Sequence, residues 1–444
     1  MLIVRRLRVA FEDATTIGTR NLVYLLLGDW GRRFFSILFI SIVARIVGPE
    51  LFGAYGLAQD LALLFSPLIE LGLHAFLIRE AAREPDRVVE YAHGAIVLRL
   101  LVGILVFPIC IVFAIWSGYS AIAYTLTLTQ LSWIMLDTLG RSYRSALMSQ
   151  DKMIYEGMLN TLSGGIRLVL AIVALGAGFG VIGVGVADIV STTIVLGIST
   201  LIFYRVVQTK FRFVLNLQDI RSWIPALLPL VLGQLVMAAW MRVNTQILIQ
   251  YDTESAVGIL VAVNRLILMI IPLSTYQVVA NMPKLSRYAK ENKPAFAASA
   301  SQQLKWVIYV GFIMSLLLCL GARPIVLVVF GSAYLDSIGL LQILAWQPFL
   351  YGICYSLVYT LIANDQQIAS LFLSILPMGI YVALSLWLVP VYSYIGSGWA
   401  TVIGFVVWSG FLIYYTIWRQ LISWQKLKPS TGDWDRITKL VGRL

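Results

Sequence analysis

The sequence predicts an all-α polytopic membrane protein: twelve transmembrane helices in two six-helix lobes around a central cavity. Three observations lead there. Of the 444 residues, 59% are hydrophobic and only 12% charged, about half the charged fraction of an ordinary soluble domain. Apolar stretches of about 20 residues, each enough to cross a hydrocarbon layer of about 30 Å as a helix, recur from Asn21 to Trp418. The Lys and Arg residues gather in alternate connections between those stretches.

Apolar runs read against turn residues place the first six spans at 21–44, 52–78, 95–116, 121–145, 157–177 and 181–204. The other six fall at 224–249, 256–279, 306–322, 338–362, 370–389 and 394–418. The opening MLIVRRLRVAFEDATTIGTR carries charges where a cleavable signal would need an apolar core, so the first span is expected to act as its own insertion signal.

Cations orient the chain. They cluster at Arg5, Arg6, Arg8 and Arg20, at Arg79, Arg83 and Arg87, and at Arg205, Lys210, Arg212 and Arg221. Further clusters are Lys284, Arg287, Lys290 and Lys293, then Lys426, Lys428, Arg436, Lys439 and Arg443. The intervening connections VGPELF, WSGYS, GAGFG, YDTES and VPVYS have no Lys or Arg, and GSAYLDS has only Arg323 nearby. The cationic segments are expected to be cytoplasmic, with both termini inside. The resulting division is a cytoplasmic segment 1–20, an N-lobe 21–205, a cytoplasmic linker 206–223, a C-lobe 224–419 and a cytoplasmic tail 420–444.

The halves repeat. Gly53 and Gly258, Pro67 and Pro272, and Arg79 and Lys284 are each 205 positions apart. IGVGVA at Ile182–Ala187 returns as IGSGWA at Ile395–Ala400, 213 positions on, an offset that also pairs Trp133 with Trp346. Six spans per repeat give both halves the same orientation, an arrangement suited to two lobes rocking about a shared cavity.

The net charge of +11 sits in these short topological clusters rather than along one surface, so it does not point to nucleic acid. Cys110, Cys319 and Cys354 lie within apolar segments without CxxC spacing, which argues against a disulfide frame or a metal site. His74 and His93 stand singly near span ends and read as structural. No GxxxxGK[ST] nucleotide loop occurs, and no cofactor is expected.

An ionisable residue at membrane depth costs from about 2.5 to more than 10 kcal/mol and therefore faces a partner or a wet cavity. The spans hold Asp29, Arg32, Arg33, Ser36, Asp60, Asp137, Arg141, Arg144, Arg167, Asp188, Arg242, Asn244 and Arg265. Asp29 and Arg33 are four apart and can pair on one helix, leaving Arg32 to point elsewhere. Seven Arg against four Asp implies cations left over after pairing. Arg32, Arg242 and Arg265, near mid-span, are the better candidates for a substrate path; Arg141 and Arg144 approach a span end where they can snorkel. A guanidinium cluster suits phosphate oxygens, so the substrate is expected to be anionic.

The glycines Gly164, Gly165, Gly176, Gly178, Gly180, Gly183 and Gly185 read as close-packing positions. Pro67 and Pro272, at matched depths, are either hinges or static kinks. In the tail, Trp434, Ile437, Leu440, Val441 and Leu444 oppose Arg436, Lys439 and Arg443, as in an amphipathic helix on the cytoplasmic leaflet.

ARIVGPELFGAYGLAQDLALLFSPLIELGLHAFLIREAAR resembles the first-two-span signature of polysaccharide-export flippases, the Wzx-type branch of the multidrug/oligosaccharidyl-lipid/polysaccharide superfamily. ESAVGILVAVNRL followed by NMPKLSRY resembles their seventh-to-eighth-span pattern, and PIVLVVFGSAYLDSIGLLQILA their outer connection before span ten. The likeness runs from about Asn21 to Arg419. It implies transport of undecaprenyl-diphosphate-linked sugar repeat units, O-antigen or another surface-polysaccharide precursor, from the cytoplasmic to the outer leaflet of a bacterial inner membrane. It also implies that Arg32 or Arg33, Arg242 and Arg265 line a cationic cavity, and that a polysaccharide polymerase and chain-length components are partners alongside membrane lipids. Relatives carry Asp where this chain has Asn244, so no coupling role passes to that position.

Two energy sources fit. The membrane potential favours outward movement of an anion, whereas Asp29, Asp60 or Asp188 could carry protons or Na⁺ in counter-transport. A cation-coupled multidrug exporter of the same superfamily would want an acidic or apolar cavity, against which the Arg excess counts. A membrane-embedded glycan ligase or polymerase would need a sizeable outer loop, and every outer connection here is short. The chain is therefore expected not to be an enzyme.

Overall fold

The computed structural model describes residues 17–208 and 217–422, and these are α-helical almost throughout, with no strand among them. The expected linker lies partly, and the tail from residue 423 wholly, outside the described residues.

Twelve spans emerge once two long helices are divided at their kinks. Ile17–Glu70 is broken at Gly48, whose φ of 78° and ψ of 174° fall in a region open essentially to glycine alone; Pro49 then starts the second span. Gln367–Trp418 is broken likewise at Ser393, φ 54°. The remaining spans are Val88–Trp116, Ala121–Ser149, Met153–Gly176, Gly180–Val207, Leu217–Leu248, Glu254–Glu291 and Lys293–Leu320. The tenth is two pieces, Ser337–Leu344 and Gln347–Ala363, because Pro348 supplies no N–H to continue the first piece but is well placed in the opening turn of a new helix. The second span ends at Leu71 and Gly72, both left-handed, rather than at residue 78; Leu73–Arg83 is a separate short helix.

Turn residues repeat as the spans do. Gly180 (φ 58°) and Ser393 (φ 54°) are 213 positions apart and open the sixth and twelfth spans; Asp151 (φ 59°) and Asp365 (φ 57°) close the fourth and tenth. Asp tolerates this conformation because its short side chain bonds locally.

The chain forms two compact units. One holds the described residues up to Ala262 together with Val329–Tyr334, and the other holds Val263–Val328 and the described residues from Leu335. The division falls inside the eighth span rather than between the halves of the repeat, because the seventh span and the start of the eighth pack on the second. A methyl group on Gly53 would lie 1.8 Å from the Glu254 carbonyl oxygen, and one on Gly258 would lie 1.9 Å from the Pro49 carbonyl oxygen. Gly56 faces Val261 in the same way, at 2.5 Å. Pro49 and Glu254, Gly53 and Gly258, and Gly56 and Val261 are each 205 positions apart, so Gly53 touches the repeat mate of Pro49 while Pro49 touches the repeat mate of Gly53, as a local two-fold relation requires.

Large apolar side chains stand exposed on the spans, among them Ile104, Leu105 and Val112 on the third and Ile368 and Phe372 on the eleventh. Only a lipid-like surrounding suits such a surface.

Candidate functional site

In the first unit the charges at membrane depth are gathered into four constellations. On the first span, Arg32 donates to Asp29 at 2.9 Å and Arg33 to the other oxygen of the same carboxylate at 2.7 Å. Arg32 is thus not set apart from Asp29, as the four-residue spacing of Arg33 suggested; i,i+3 reach serves as well as i,i+4. The three residues together carry one net positive charge, and the Arg32 side chain is 46% exposed. Small residues seat this helix on the fifth span: Gly28 abuts Gly157, Gly31 abuts Thr161, and Gly164 lies against Arg32 and Phe35.

The second constellation joins spans two and seven. Asp60, buried, accepts from Arg242 and, at 2.9 Å, from the Thr245 hydroxyl. Asn244, next along, is buried as well.

The third is centred on Asp188, fully buried in span six. It accepts from Arg167 Nε at 2.6 Å, the Tyr55 hydroxyl at 2.6 Å and Gln130 Nε2 at 2.9 Å. Gln59 donates to Gln130 at 3.2 Å. The Arg167 guanidinium also lies 4.0 Å from the Phe39 ring centre and 5.8 Å from that of Trp133, so the cation gains aromatic faces as well as a carboxylate.

The fourth is the largest. Glu70 takes Arg99 at 3.0 Å and Arg141 at 3.6 Å; Asp137 takes Arg141 and, at 3.1 Å, Arg144; Arg144 reaches Glu156 at 3.1 Å. Arg99, with no exposed surface, also donates to the Thr138 carbonyl at 2.6 Å and to Ser142. His74 lies 2.7 Å from the Ser145 hydroxyl, and its backbone N–H donates to Glu70. His93 bonds the Tyr204 hydroxyl at 2.8 Å.

These contacts narrow the expected charge surplus: Glu70 and Glu156 take up cations while Arg99 adds one, so eight Arg stand against six acids. Each would have been found by asking which ionisable residues interrupt apolar runs, as in PLIELGL and IVLRLLVG. A span starting at residue 95 leaves Arg99 near its edge, whereas the helix starts at Val88 and puts Arg99 eleven residues inside. Tyr55, Gln59 and Gln130 have no such signal, since neutral polar residues are common in spans.

Arg32 and Arg242 hold different carboxylates on different helices, and Arg265 is half-buried in the second unit. Helix Glu254–Glu291 runs unbroken through Pro272, and in the second span the break comes four residues after Pro67. Among the described residues no group of three or more His, Cys, Asp or Glu is placed to hold a metal ion.

Residues 19–289 match the family described as "Polysaccharide biosynthesis protein". Among curated proteins none matches the chain. Among solved structures the chain is similar to the lipid II flippase MurJ in an inward closed conformation, at 15% identity and TM-score 0.72, over 91% of this chain and 89% of that one. It is similar to an inward-facing multidrug resistance MATE family transporter of the MOP superfamily, at 18% identity and TM-score 0.70, over 88% and 94%. A third is a MOP superfamily transporter from Pyrococcus furiosus described as having a binding pocket of reverse polarity, at 17% identity and TM-score 0.59, over 92% and 95%. Such likenesses establish the fold, a multi-pass bundle of twelve membrane-spanning helices.

Proposed function

Because the chain belongs to the polysaccharide biosynthesis protein family, we propose that it is a flippase for undecaprenyl-diphosphate-linked oligosaccharide repeat units, moving them from the cytoplasmic to the outer leaflet of a bacterial inner membrane. The family match carries this reading, and the internal repeat supports alternating access as its mechanism. The first span supports an anionic cargo. There Arg32 and Arg33 share one carboxylate, and Arg32 keeps nearly half its side chain exposed. A diphosphate offers oxygens for the Arg32 donors that Asp29 does not use. No bond is broken in the cargo, so no catalytic residue is assigned. A polymerase and chain-length components would take the product on the outer face.

The test is reconstitution in liposomes with a labelled polyprenyl-diphosphate oligosaccharide, following its arrival in the opposite leaflet. Arrival above protein-free vesicles is expected, with reduced rates for Arg32→Ala, Arg242→Ala and Arg265→Ala. A chemically altered product would assign an enzyme instead, transport of cationic drugs alone would assign the exporter, and wild-type rates in all three variants would reject the Arg path.

A further inference from the structure

The tenth span carries a stripe that the charge networks leave unused. Gln347, Tyr351, Tyr355 and Tyr359 follow one another at intervals of four, which places them on one side of helix Gln347–Ala363. The Tyr351 and Tyr355 rings stack at 5.7 Å between centroids and those of Tyr355 and Tyr359 at 4.5 Å, and the Tyr355 hydroxyl donates to that of Tyr359 at 3.0 Å. Phe405, edge-on to Tyr351 at 6.0 Å, backs the ladder from span twelve.

Two features separate this stripe from ordinary packing and from a lipid face. The helix is largely enclosed: none of residues 347–363 is exposed, and the three tyrosines are half-buried, as are Phe349, Val358 and Ile362. Lipid-facing positions of this chain are open and apolar, as Phe372 and Leu376 are on span eleven. Phenol groups facing hydrocarbon would lose their water without replacement. Gln347, which heads the stripe, is 5% exposed, and its carbonyl oxygen has no hydrogen-bond partner among the described residues. A buried amide oxygen left this way costs about 1–3 kcal/mol unless water or a ligand supplies the donor.

Resting on the flippase reading above, we propose that Gln347, Tyr351, Tyr355 and Tyr359 form the surface on which this protein binds the sugar part of its cargo. A pyranose ring has an apolar face of C–H groups and an equatorial rim of hydroxyls. Stacked tyrosines offer the matching pair, aromatic faces with polar ends. The sugar hydroxyls donate to the Gln347 carbonyl oxygen and exchange hydrogen bonds with the phenols.

The experiment measures binding of two lipids to the full-length protein in detergent: polyprenyl diphosphate with its oligosaccharide and without it. The wild-type protein is expected to prefer the glycosylated form at least tenfold. Replacing Tyr355 and Tyr359 together by Leu is expected to bring that preference to near one while leaving affinity for the bare lipid unchanged. Tyr355→Phe and Tyr359→Phe keep the rings, and each is expected to lose about two- to tenfold of the preference, the worth of one hydrogen bond. A double Leu variant that keeps the wild-type preference overturns the proposal. So does one that loses both lipids equally, since that is the mark of damaged packing. Failure of the wild-type protein to bind either lipid would overturn the flippase reading itself, an outcome distinct from both.

Discussion

Replacing Gly53 by Ala puts the repeat-related contact to a quantitative test. The added methyl carbon would sit 1.8 Å from the Glu254 carbonyl oxygen. That atom belongs to helix backbone and has no rotamer with which to yield, so the second and eighth spans must part by about 1.5 Å to reach an ordinary contact, and overpacking of this kind costs about 1–3 kcal/mol. Alanine returns up to about 1 kcal/mol of helix propensity, which leaves a net loss of up to about 3 kcal/mol. Gly258→Ala meets the Pro49 carbonyl oxygen at nearly the same distance and should cost the same. The double variant should cost less than the sum, because one separation of the helices relieves both clashes. Gly197→Ala serves as control: nothing lies within 4 Å of its added carbon, and it should be neutral or stabilising. Denaturant or thermal unfolding in one detergent measures all four. Unequal costs for Gly53 and Gly258, or full additivity, would refute the reciprocal contact.

Other expectations follow from the same contacts. Asp60→Ala should cost about 3–5 kcal/mol by leaving Arg242 beside an empty place, and Asp60→Asn with Arg242→Gln should cost less than the two single changes summed, read by a double-mutant cycle on unfolding. Ser393→Gly should stabilise by about 1 kcal/mol, since a non-glycine residue at φ 54° is strained, and its repeat partner is already Gly180. Arg99→Ala should lower the unfolding midpoint sharply, whereas Arg32→Ala, with its side chain half-open, should lower transport and leave the midpoint within error.

The twelve spans were legible because hydrophobic length and alternating charge report directly on the bilayer. Breaks within them were less so. VGPE marks the kink at Gly48, but nothing in VPVYSYIG distinguishes Ser393 except its register with Gly180 in the repeat. The charges at depth were legible one by one. Their partners were not, because Glu70 with Arg99 and Arg144 with Glu156 meet across helices, and sequence separation carries no record of that. The tyrosine stripe has helical spacing in the sequence, yet aromatic residues at that spacing usually pack a core. The continuous ladder of phenol rings and the unpartnered Gln347 oxygen set it apart.

The pairing also bears on what drives transport. Asp29, Asp60 and Asp188 are the acids that could exchange a proton or Na⁺, and each accepts hydrogen bonds from an arginine. Arginine stays charged at every physiological pH, so each of these carboxylates is paired with a cation that cannot be discharged. Asp188 is the extreme case: Arg167, Tyr55 and Gln130 all donate to it, while a bound Na⁺ would need acceptor oxygens around it. Coupling through these acids would require the guanidinium to swing away first. An anionic cargo needs no such step, because an inside-negative potential of 100 mV contributes about 2.3 kcal/mol for each charge carried outward. Transport into proteoliposomes should therefore rise with an imposed potential of the right sign and be indifferent to a Na⁺ gradient at constant potential. Dependence on the Na⁺ gradient with the potential clamped at zero would show that at least one of these pairs opens during the cycle. Asp60→Asn, Asp29→Asn and Asp188→Asn, assayed in turn for loss of that dependence, would then identify the pair that opens.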